Sequence, residues 1–67
     1  MPVLNSIELE GASTRGWRQA AQEALREAAK TIRNIQRLDV LGTSATVGEG
    51  GIEEYRTRVR LLFRVER

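Results

Sequence analysis

The chain is predicted to be an α+β protein of order β-α-β-β: one helix on a three-stranded antiparallel sheet, in a single domain spanning residues 1–67. Three observations lead there. Residues 52–66 alternate, with Tyr55, Thr57, Val59, Leu61, Phe63 and Val65 at odd positions and Arg56, Arg58, Arg60, Leu62 and Arg64 at even ones. A period of two marks a strand with one covered face. Residues 14–35 instead carry Trp17, Ala21, Ala24, Ala28, Ile32 and Ile35 at helical spacings of three and four. Between two strand-like runs stands Gly48-Glu49-Gly50-Gly51, where glycine supplies the positive φ of a tight turn.

The first strand is expected over residues 3–10, with Val3, Ile7 and Leu9 on one face and Glu8 and Glu10 on the other. Gly11 and Ala12 are expected to end it, and the hydroxyl of Ser13 or Thr14 to cap the next helix. Ala20, Leu25 and Ala29 widen the apolar stripe of that helix. Its other side carries Arg18, Gln22, Arg26, Lys30 and Arg33, with Glu23 and Glu27 at pairing distance from Arg26 and Lys30. So many alanines let a helix lie close to a sheet while burying little area themselves. After Asn34 the period changes, and residues 37–47 form the second strand. Strands two and three make a hairpin. Strand one is expected antiparallel to strand three, which sets Glu8 and Glu10 near the arginine row.

Composition narrows the chemistry. A chain of 67 residues is marginal alone and needs disulfides, a metal, or copies of itself. Cysteine and histidine are both absent, so disulfides, zinc or iron sites of the usual kind, and nucleophile–base pairs all drop out. No enzyme is expected. The pI near 9.9 reflects a net charge of only +2, and three aromatics are few for stacking bases, so no nucleic-acid partner is expected. No apolar run reaches membrane-spanning length, and Met1-Pro2-Val3-Leu4-Asn5 lacks the basic and apolar regions of a signal peptide. A soluble cytoplasmic protein is the expectation. Two edge strands and an uncovered sheet face then point to self-association.

Other motifs carry less. Gly48-Glu49-Gly50-Gly51 lacks the following helix of a phosphate loop. Glu53 and Glu54 sit by a turn and point to opposite faces, as solvated charges. Arg58 and Arg60 are read as partners in salt bridges between subunits.

The run Ile7-Glu8-Leu9-Glu10-Gly11-Ala12-Ser13, then Trp17 with Ala20 and Ala21, resembles the opening of a dodecin. So do Lys30-Thr31-Ile32-Arg33-Asn34-Ile35, the Val40 strand, Gly48-Glu49-Gly50, and Tyr55 followed by Val59 and Phe63. The resemblance covers nearly the whole chain without gaps. It implies a sheet wrapped around its helix, twelve subunits in a hollow homododecamer, and flavin (FMN or riboflavin) held as stacked pairs across two-fold axes for storage or sequestration.

Departures from the family pattern fall at the ligand. Where typical dodecins stack a tryptophan on the flavin ring, this chain has Arg37; where a glutamine bonds the ring edge, it has Arg56. The acidic residue for the ribityl chain falls at Gly42, and Trp17 at the helix start is assigned to packing. Arg64 matches an arginine that some dodecins use for coenzyme A phosphates. Such a pocket favours an anion: a phosphate-bearing flavin, another nucleotide, or a carboxylate of the protein itself such as Asp39. Two expectations result. One is a flavin-binding shell with an arginine-lined pocket at Arg37 and Arg56. The other is a flavin-free shell holding another anion, a cation such as calcium on a symmetry axis, or nothing.

Overall fold

A computed structural model describes residues 3–65. Its elements are β1 (Leu4–Ser13), α1 (Trp17–Ala29), β2 (Ile35–Gly48) and β3 (Gly51–Arg64), in one antiparallel sheet of order β1-β3-β2. The predicted class and strand order hold. β3 is central because its two-residue loop to β2 forces one pairing, and the helical crossover brings β1 to its other edge. Gly51, at φ 117, absorbs the turn in a conformation that side chains rarely adopt.

The alternation along β3 is the division between two environments. Thr57, Val59 and Leu61 are fully buried, while Arg58 and Arg60 are exposed. Ala24 and Ala28 pack with Val59 and Leu61 as the core, flanked by Ile7, Leu9, Leu25, Ile32, Ile35 and Leu38. The Thr57 hydroxyl donates to the Trp17 carbonyl at 2.8 Å, so this buried polar group ties the helix start to the sheet.

Several boundaries differ from expectation, each for a tertiary reason. β1 does not stop at Gly11 but continues to Ser13, opposite Tyr55. Gly11 is there because the helix backbone crosses it: a Cβ at this position would lie 1.9 Å from the Ala20 carbonyl oxygen. The helix is shorter than residues 14–35. It starts after Gly16 without a side-chain cap, and the Ser13 hydroxyl accepts from the Arg15 amide instead. It ends at Ala29, and Asn34, at φ 62, turns the chain into β2. Its buried line is Ala20, Ala24 and Ala28, all within the predicted stripe, while Trp17 at its start is 44% exposed. The Glu66 end of the predicted third strand lies outside the described residues.

Candidate functional site

Residues facing each other across antiparallel strands point to the same side of the sheet, so the register defines the outer face row by row. Arg37, Leu62 and Ser6 share one row; Asp39, Arg60 and Glu8 the next; then Gly42, Arg58 and Glu10; then Ser44, Arg56 and Ala12. Register shifts between Ile35 and Arg37, and between Val40 and Gly42, leave Gln36 and Leu41 as extra residues. Each bulge reverses the facing of the strand residues beyond it. Arg37 and Gly42 differ in parity, and the extra residue Leu41 between them is what sets both on the outer face.

Arg37 and Arg64 lie toward the same end of this face, since Arg64 is two residues past Leu62, the partner of Arg37. Arg56 is six residues away along β3, roughly 20 Å at strand rise. One subunit therefore does not bring Arg37 and Arg56 to a single ligand. A pocket using both takes them from different copies.

The carboxylates are already distributed among the arginines. Arg37 Nε lies 3.1 Å from Asp39 Oδ1, so the expected protein carboxylate is its partner. Arg56 is held by Glu10 at 3.0 Å and by Glu54 at 2.9 Å. The hydrogen bond that Arg56 donates to Glu10, and then the charge of Glu54, raise the Arg56 pKa above its ordinary value. Glu54 is thus an ion-pair partner and not a free solvated charge. Arg60 reaches Glu8 within its own subunit at 3.6 Å. On the helix, Glu23–Arg26 and Glu27–Lys30 pair at 3.3 and 3.1 Å as expected. Among the described residues there is no group of three or more carboxylates placed to hold a metal ion.

Trp17 serves packing, as its position predicts. Its ring meets Tyr55 edge to face at 4.8 Å between centroids, and its indole N–H donates to the Ser44 carbonyl at 2.9 Å. An apolar groove of about 380 Å³ was not anticipated. It runs between α1 and β2 and is lined by Trp17, Ala21, Leu25, Leu38, Val40 and Thr57, among others. Val40, Val47 and Ile52 are also more than half exposed. The gap itself depends on how β2 sits beside the helix, which no local pattern encodes. No helix among the described residues is long and apolar enough to cross a membrane.

The fold and surface define a small α+β subunit with bare edges, an apolar groove and a face of matched charges, which is the form of a self-assembling protein. The family model for Dodecin matches residues 3–66, and the chain belongs to that family. A dodecin of Thermus thermophilus is 38% identical over 64 residues, covering 96% of this chain and 93% of that protein. The crystal structure of a point mutant of the T. thermophilus dodecin superposes with a TM-score of 0.96 at 36% identity, over the whole of both chains. The dodecin of Streptomyces coelicolor, at 24% identity, shares the fold with a TM-score of 0.94, over 98% of this chain and 94% of that one. These matches fit assembly as a dodecamer, and family membership supports a flavin-binding dodecameric protein.

Proposed function

We propose that this protein stores or sequesters flavin within a hollow homododecameric shell, in pockets between subunits to which Arg37 and Arg56 contribute. The observation that carries the reading is the pairing of Arg37 with Asp39. Two bare arginines meeting across a two-fold axis would repel each other; two neutralised pairs do not. A guanidinium held flat by a carboxylate still presents a planar face to a flavin ring, worth ~0.5–2 kcal/mol by stacking and cation–π attraction. Arg56, doubly paired, is supported as a wall of the pocket rather than a donor free for the ring edge. Arg64, toward the Arg37 end of the face, is the candidate contact for a flavin phosphate. Neighbouring copies cover the β2 edge and the apolar groove beside Trp17.

The same pairings favour a second reading, a shell without flavin, because each arginine at the ligand positions already has its anion. Titration with riboflavin and FMN, followed by flavin fluorescence, separates the two. Quenching at micromolar protein supports storage, and stronger quenching of FMN than of riboflavin supports Arg64 as a phosphate contact. Absence of quenching by either removes the flavin reading. Arg37→Trp then reports on the pocket itself: about ten-fold tighter riboflavin binding is expected if the geometry is retained.

A further inference from the structure

We propose that Arg58 and the side-chain-free Gly42 opposite it form an oxyanion site, sized for a single phosphate group, on the sheet face turned away from the helix. The charge pattern of that face isolates Arg58. The other arginines of central strand β3 between residues 56 and 60 each hold a carboxylate: Arg56 has Glu10 and Glu54, and Arg60 has Glu8. Arg58 stands between Glu10 on β1 and Gly42 on β2. Glu10 is directly across from it, yet its carboxylate bonds Arg56 at 3.0 Å. Gly42 has nothing to offer, and Arg58 is in no ion pair among the described residues.

The space beside this guanidinium is open. A Cβ on Gly42 would meet nothing within 4 Å, and an opening of about 200 Å³ is lined by Glu10, Gly42, Thr43, Ser44 and Arg58. That is below the range of pockets enclosing a ring ligand, but ample for one tetrahedral anion. The bulge at Leu41 keeps it open, since the register that pairs Val40 with Val59, continued without a break, would place a leucine side chain opposite Arg58. Glu10 is the one negative group in the lining, and Arg56 offsets its charge. A phosphate oxygen pair matches the planar fork of a guanidinium. The site lies within one subunit, at the position where the family pattern sets a ribityl contact, so free phosphate is the first probe and its failure is distinguishable from a failure to bind flavin.

The probe is inorganic phosphate, titrated into the assembled protein by calorimetry, with Arg58→Gln, Gly42→Asp and Arg26→Gln as variants. Binding by the parent is expected, with a loss of about ten-fold or more in Arg58→Gln. Gly42→Asp is expected to abolish binding, because its carboxylate enters the vacant space and takes the guanidinium. Arg26→Gln, on the helix and paired there with Glu23, is expected to bind as the parent does. Competition by FMN but not riboflavin would identify an esterified phosphate as the ligand; phosphate binding without FMN competition would identify the free ion. No phosphate binding at millimolar concentration overturns the proposal, as does undiminished binding in Arg58→Gln. So does a change in assembly size in Arg58→Gln when the parent binds no phosphate, which would assign Arg58 to a carboxylate of a neighbouring copy.

Discussion

Replacing Gly11 by alanine tests how closely the helix must lie on the sheet. The added Cβ would stand 1.9 Å from the Ala20 carbonyl oxygen and 2.9 Å from the Ala24 amide nitrogen, both backbone atoms that cannot rotate away. Clearing the first contact to beyond 3.0 Å lifts the helix by about 1 Å. A gap of 0.5–1 Å already forfeits about a quarter to a half of each dispersion contact. The contacts at stake are those of Ala24 and Ala28 with Val59 and Leu61, together with the Thr57 hydrogen bond to Trp17. The expected cost is about 3 kcal/mol or more, at the upper end for overpacking. In a domain of this size that lowers the thermal midpoint by roughly 12–24 °C. Circular dichroism melts at fixed subunit concentration would measure it, because association contributes to apparent stability. Gly42→Ala is the control: nothing lies within 4 Å, and its midpoint should shift by no more than a few degrees. If Gly11→Ala melted with the parent, the close helix–sheet approach would be refuted as the reason for glycine there.

Light scattering of the purified protein is expected to give about 90 kDa, the mass of twelve 7.5 kDa chains, and a stable particle of one chain would contradict the shell. Trp17→Phe keeps an aromatic contact with Tyr55 but loses the hydrogen bond to Ser44, for a loss of about 1 kcal/mol by urea denaturation. Trp17→Ala, which loses both, should cost about 2 kcal/mol or more. Gly51→Ala places a side chain at φ 117 and should destabilise by about 1–2 kcal/mol in the same assay, although no neighbour lies within 4 Å to clash with it.

Element identity and order follow from periods that belong to the sequence alone. Alternation from Tyr55 to Phe63, three- and four-residue spacing through the alanines, and a glycine-rich turn each reflect local geometry, so they survive being read one residue at a time. They also divide the residues of β3 between core and outer face without reference to any partner. Only tertiary structure decided where the elements stop and which charges meet. Gly11 reads as a strand breaker until the helix backbone is seen across it, and Asn34 turns the chain into β2 through its left-handed conformation. Asp39 takes Arg37, Glu10 turns from Arg58 to Arg56, and the bulge at Leu41 sets Gly42 opposite Arg58. Register and bulges arise from contacts between residues far apart in the chain, and a shift of one residue exchanges the two faces of a strand. Local pattern therefore specifies which elements form, while the site they carry depends on how those elements are paired.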